Sequence, residues 1–134
     1  MKSMYEKERA KSLSHFTFGI SVDCVVFGFD GSDVKVLVIK RGTEPYKDFQ
    51  AIPGDLVHEK EDPIDATKRV LNELTGLKDI YLEQLKAFAG VNRHPLGRVV
   101  TLAYYSLIKI EDYNPKPSSW AIDATWTSIQ DIRE

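Results

Sequence analysis

Carboxylates crowd one short part of this 134-residue chain. The stretch PGDLVHEKEDPIDATKRVLNELTGL, residues 53–77, carries Asp55, Glu59, Glu61 and Asp62 ahead of a helix-like run, and Arg69 and Glu73 within it. Acids at positions i, i+3 and i+4 of a helix share one face and can present several hard oxygens to Mg²⁺, which favours near-octahedral oxygen ligands. An ion held that way neutralises charge developing on a pyrophosphate under attack. Around Glu73, however, stand Val70 and Leu74, whose side chains have no oxygen to donate. Two readings of Glu73 stand: a metal-linked carboxylate, or the partner of Arg69 in an i,i+4 pair worth a few tenths of a kcal/mol, and the pattern favours the pair. The loop acids could rebuild a site beside the helix, but acids at a helix N-terminus more commonly serve its dipole.

Other polar residues stand among apolar ones. Asp23 interrupts the strand-like run SVDCVVFGFD, and a carboxylate there must be paired, hydrogen-bonded or solvated in a cavity. It is either a ligand group or the structural partner of Lys40 or Arg41 on a neighbouring strand. The segment NRHPLGR gathers Arg93, His94 and Arg98 around Pro95 and Gly97. Such a cluster can grip a phosphate or sugar hydroxyls, or it is a solvated basic loop. His15 and His58 lie far from any ligand-like spacing and read as surface or capping residues, while Tyr104, Tyr105 and Trp126 read as core.

These residues need a scaffold. Phe16–Phe29 is rich in β-branched and aromatic residues, FDGSDV supplies turn chemistry, and VKVLVIK resumes the pattern, which predicts a β-hairpin. Both alternating rows of its first strand are largely apolar, so the sheet should be covered on both faces. FQAIPG reads as a short strand ended by a turn. A helix follows, with Asp62 placed to cap it, Pro63 at its first position, Asp65 complementing the dipole and Gly76 ending it. Ile64, Thr67, Val70, Leu71, Leu74 and Leu77 form its apolar stripe, leaving Lys68, Asn72 and Glu73 nearer solvent. IYLEQLKAFAG and RVVTLAYYSLIKI read as strands about the loop VNRHPLG, and the tail WAIDATWTSIQDIRE as a short strand and the start of a helix. The pattern predicts an α/β or α+β sandwich.

The composition narrows the function. With 43% hydrophobic residues the chain can bury one core, residues 16–134, preceded by a polar arm at 1–15. A net charge of −2 argues against nucleic-acid binding by this piece, which would need a concentrated basic face. One cysteine, Cys24, excludes an intrachain disulfide; it reads as a small buried hydrophobe and suits a reducing, cytoplasmic setting. No apolar run is long enough to span a membrane, and MKSMYEKERAKSLS lacks the apolar stretch of a signal peptide.

Residues 53–77 resemble a degenerate Nudix box, in which a glycine, a glutamate, an arginine and three metal-binding glutamates recur at set intervals. Asp55 stands at the glycine position, Glu61 at the first glutamate, Arg69 at the arginine, and Gly76 and Leu77 at the close; the metal glutamates fall on Val70, Glu73 and Leu74. SVDCVVFGFD, VLVIKRGTEPYKDFQAIPGDLV and RHPLGRVVTLAYYSLI are further similar, in order and spacing, to the sensor domains of Nudix-related transcriptional regulators, over roughly residues 16–132. The resemblance implies a Nudix-like α/β/α sandwich with a mixed central sheet, no catalytic residues, no cofactor and no bound metal. It also implies a homodimer whose DNA contacts belong to a C-terminal winged helix, expected beyond this chain. The effector would be a sugar or nucleotide-sugar; the overall likeness is nearest the arabinose-responsive type, which points to L-arabinose. The same resemblance favours ligand roles for Lys40 and Arg98 beside Asp23 and Arg93. A sugar site would add the amide of Gln50 and the ring faces of Phe49 or Phe88. The alternative is a Mg²⁺-dependent hydrolase of ADP-ribose-like nucleoside diphosphate derivatives.

Overall fold

The computed structural model describes residues 3–4, 18–94 and 97–132. Most of the expected N-terminal arm, with His15 and Phe16, and also Pro95, lies outside the described residues. The expected hairpin forms from β1 (Gly19–Phe29) and β2 (Val34–Arg41), with Phe27 opposite Val36 and Phe29 opposite Val34. Its turn has a local chemical cause. Asp30 Oδ1 accepts from the backbone N–H of Ser32 at 3.0 Å and of Asp33 at 2.8 Å, and Gly31 takes φ +97°, a conformation costly for side-chain-bearing residues.

Beyond that short pairing β1 and β2 part, and the chain fills the gap with the segment predicted as one short strand. The predicted strand is β3 (Gln50–Ala51), which pairs with β2, and a further strand the pattern did not predict, β4 (Gly54–Leu56), begins at its closing turn and pairs with β1. Pro53 between them accepts the Cys24 N–H at 2.9 Å. On its other edge β1 runs parallel to β6 (Val99–Lys109) along its whole length, whereas β5 (Glu83–Phe88) meets β6 antiparallel. β7 (Ala121–Ser128) pairs antiparallel with β2, completing a mixed seven-stranded sheet. The predicted helical start at the tail is a single 3₁₀ turn, Ile129–Asp131.

Among the described residues the helix α1 (Pro63–Thr75) packs on the sheet. Pro63 opens it and Gly76 closes it at φ +77°, its N–H donating to the Asn72 carbonyl at 2.8 Å. Asp62 occupies the cap position in extended conformation, but its side chain makes no capping bond. Apart from half-buried Ile64, the apolar stripe is buried as its spacing predicts. Val70 and Leu74 are 2% and 1% exposed, Val70 and Leu74 packing with Val22, Ile39 and Tyr104 and Leu71 with Cys24, Val26 and Leu37. A fully buried Leu or Val contributes about 1.5–3 kcal/mol, so this face of α1 is a main source of stability.

The opposite face of the sheet is covered in part. Val36 and Val38, which alternate away from Leu37 and Ile39, are buried, while Val25 and Phe27 are only half-buried and Phe29 is exposed. Cys24 sits in the core, its thiol pushed up to about 12 by burial first and the neighbouring Asp23 charge second, which makes it an inert packing group. Tyr104 is core as expected, but Tyr105 turns outward and donates its hydroxyl to Glu83 Oε2 at 2.5 Å. No helix among the described residues is long and apolar enough to cross a membrane.

Candidate functional site

The wedge between β1 and β2 leaves a cleft of about 740 Å³ at its mouth, within the range of roughly 300–1,000 Å³ common for small-molecule sites. Its floor is Asp23 with Ser21 and Thr101, placed side by side by the β1–β6 register and joined by a 2.6 Å hydrogen bond between the Ser21 and Thr101 hydroxyls. Asp23 is half-buried. Burial pushes its carboxyl above the usual range, and the charges of Arg93 and then His94 pull it back. Neither Lys40 nor Arg41 pairs with it, so of the two readings the cross-strand ion pair does not form, and the charges that act on Asp23 come from two residues of the β5–β6 loop. Arg93 reaches the floor because its Nη2 donates to the Thr101 hydroxyl and, at 3.4 Å, to the Val99 carbonyl.

Gly54 faces Asp23 across the β1–β4 pair so closely that a Cβ would collide with the Asp23 carboxylate and lie 2.7 Å from the Val22 carbonyl. Only glycine leaves that carboxylate room to face the cleft. The far wall is Arg41 stacked on Trp120, 4.5 Å from the guanidinium carbon to the ring centroid, with Arg41 Nε donating to the Pro45 carbonyl at 2.6 Å. Trp120 Nε1 in turn donates to Asp55 Oδ2 at 3.1 Å, tying β7's approach to β4. At the mouth Tyr46 and Phe49 meet edge to face, centroids 6.1 Å apart, both more than half exposed. The cleft therefore combines aromatic faces, two guanidiniums and two carboxylates. That set suits a ligand with a flat base, phosphates and sugar hydroxyls.

Of the residues nominated from sequence, the fold brings Asp23, Phe49, Gln50 and Arg93 to this cleft. It leaves out the other three. Lys40 is exposed and its neighbour Arg41 takes the place, because successive strand residues face opposite sides. Phe88 lies on the outer strand β5 with Lys86 Nζ 4.7 Å above its ring. Arg98 clips the ends of the β5–β6 loop, its Nη2 donating to the Ala89 carbonyl at 3.0 Å and its guanidinium lying 5.1 Å over Phe18, with Nε buried and unpartnered among the described residues. Trp120, Tyr46, Arg41 and His94 also line the cleft. An aromatic at the end of the polar loop EDYNPKPSS and the loop RGTEPYKDF after β2 were the available signals.

The box region is organised around a guanidinium. Arg69 donates from Nη2 to Glu61 Oε1 at 2.7 Å, from Nε to Glu61 Oε2 at 3.0 Å, from Nη1 to Glu73 Oε2 at 3.2 Å and from Nη2 to the Leu56 carbonyl at 2.9 Å. Glu73 is thus the i,i+4 partner of Arg69, and Asp55 is committed to Trp120. Among the described residues no group of three His, Cys, Asp or Glu side chains is arranged to hold a metal ion. With Val70 and Leu74 in the core, these residues do not fit the metal cluster of a Nudix box.

Glu61 also makes this corner acid-sensitive. Its hydrogen bonds from Arg69, then from the His58 N–H, hold its carboxyl down to about 2 against an ordinary 4.5. A depressed folded value contributes stability that is complete above pH 4.5 and lost as pH falls towards 2. Glu61→Gln should therefore flatten the stability profile between those values, checked by urea unfolding at stepped pH; an unchanged slope would show that the pair contributes nothing.

The NUDIX domain model matches residues 17–134. Over 96 residues the chain is 33% identical to the ADPR responsive transcriptional repressor NtrR of Acinetobacter baylyi, spanning 70% of this chain and 38% of that protein. It is 28% identical over 96 residues to the ADP-ribose pyrophosphatase of Methanocaldococcus jannaschii, 72% of this chain and 57% of that protein. The chain thus spans less than two thirds of either relative. In structure it is similar to the NUDIX domain of Shewanella oneidensis NrtR, solved in complex with ADP ribose, with a TM-score of 0.83 and 24% identity over 97% of this chain and 86% of that one, a likeness of fold.

Proposed function

Because this chain belongs to the Nudix family, matched along almost its whole length, we propose that it is an effector-sensing domain whose cleft takes an ADP-ribose-like nucleoside diphosphate sugar without hydrolysing it. The burial of Val70 and Leu74 carries the reading: the two positions where the family places metal glutamates are core packing. A domain with this fold and no place for the metal keeps a ligand cleft but lacks the charge clamp that cleaves a pyrophosphate. The ADP-ribose named for the relatives suits the aromatic mouth and the Arg93 and Asp23 floor better than the L-arabinose suggested by the overall run of the chain, because a bare pentose brings no flat base to the aromatic rings and no phosphate to the guanidiniums. In a regulator of the NtrR kind, ligand binding would shift the balance between two arrangements of a homodimer and so alter DNA affinity, with the DNA contacts made outside this domain.

Calorimetry distinguishes the ligands. ADP-ribose should bind with the same affinity in EDTA as in Mg²⁺, and L-arabinose should give no heat. Saturable heat from L-arabinose alone would restore the free sugar as effector. Mg²⁺-dependent release of AMP from ADP-ribose, abolished by Glu73→Gln, would instead make this chain a hydrolase.

A further inference from the structure

A second cleft, of about 650 Å³, opens on the outer side of α1, between the helix and the segment that leads into β5. Its floor is apolar, from Leu71, Leu77 and Ile80, all buried. Over this floor stand Lys68, Asn72 and Lys78, and the ring of Tyr81, which is 77% exposed. The Tyr81 hydroxyl donates to Glu83 Oε1 at 3.0 Å, which leaves its exposed ring as the part of Tyr81 that can meet a ligand. Asp79 also lines the cleft, at φ +57°, yet among the described residues neither lysine has a carboxylate within ion-pair distance. Two unneutralised ammonium groups, an amide and a ring face over an apolar floor are complementary to a flat aromatic group that carries a phosphate.

The position of Arg69 gives the cleft a consequence. Arg69 lines this second cleft, and its guanidinium holds Glu61, Glu73 and the carbonyl of Leu56, which with Asp55 lines the first cleft. An anion arriving beside Lys68 competes with those carboxylates for the Arg69 guanidinium. The Leu56 carbonyl accepts from this same guanidinium, so Arg69 is a direct physical link between the second cleft and the β4 wall of the first.

We infer that the groove between α1 and residues 78–82 is a second site, for an aromatic phosphate monoester, coupled to the effector cleft through Arg69. This inference is independent of what the first cleft binds, so its test uses no effector. Phenyl phosphate titrated into the ¹⁵N-labelled full chain should give saturable amide shifts at Lys68, Asn72 and Lys78–Leu82, accompanied by shifts at Leu56 and Val57. In the Lys68→Gln/Lys78→Gln variant, whose changes are at the surface, affinity should fall about tenfold or more. Benzyl alcohol, aromatic but uncharged, should not saturate. Absence of saturation, an affinity unaltered in the double variant, or equal binding of benzyl alcohol would each overturn the site. Shifts that stop short of Leu56 and Val57 would overturn the coupling.

Discussion

Leu74→Glu, which restores one of the two missing glutamates of the box, should strongly destabilise the domain instead of rebuilding a catalyst. Leu74 is 1% exposed among Val22, Val70 and Tyr104, and no described cation reaches that cluster. A carboxylate placed there loses the leucine's burial and must either be desolvated or take up a proton. The expected loss is at least ~4 kcal/mol, against a total of roughly 5–15 kcal/mol for a domain of this kind. The sign of its pH dependence is set by the same argument. Burial raises the folded pKa of the new carboxyl, so the deficit is smallest below its ordinary value of about 4.3 and deepens as pH rises above it. Urea unfolding across pH 4–8 measures this, with Leu74→Met, expected to cost less than about 1.5 kcal/mol, as the control for volume. A Leu74→Glu domain as stable as the parent at neutral pH would show that this helix face is not core, and the sensing proposal would lose its basis.

Arg93→Ala should weaken ADP-ribose binding by about 10- to 100-fold, because a charged hydrogen-bond donor to a ligand contributes roughly 1.5–3 kcal/mol and each 1.4 kcal/mol is tenfold. Arg98→Ala, five residues on and chemically identical, should leave the affinity within about threefold, since that guanidinium is spent on Ala89 and Phe18 and lies outside the cleft lining. Part of the Arg93 effect passes through Thr101, which it braces, so Thr101→Val provides the comparison that separates contact from positioning. Calorimetry on samples shown to be folded checks all three. Equal losses at Arg93 and Arg98 would mean that the loop acts as a general basic patch and that the cleft geometry has no part in recognition.

The elements themselves were legible because their causes are local. Pro63, Gly76 and the apolar spacing from Ile64 to Leu77 define α1 through backbone freedom and helical period, and FDGSDV defines its turn through the Asp30 carboxylate and Gly31. The burial of Val70 and Leu74 followed from the same spacing. Asp23 stood out because a charge in an apolar strand needs an explanation wherever the strand lies. Its partner could not be read the same way: Lys40 and Arg41 are near it along the neighbouring strand's expected path, yet β1 and β2 diverge before reaching it and Arg93 arrives from a loop some seventy residues away in sequence.

Residue type and spacing along the chain by themselves determined the helix, the hairpin, the burial of Val70 and Leu74 and the presence of an unusual carboxylate, since each depends on neighbours a few positions apart. Only the tertiary structure decided which of Arg41, Arg93 and Arg98 meets that carboxylate's cleft, that Trp120 closes it, and that Gly54 must be a glycine. Those outcomes depend on where two splayed strands admit a third segment and on the register of β1 against β6, quantities fixed by packing between distant parts of the chain.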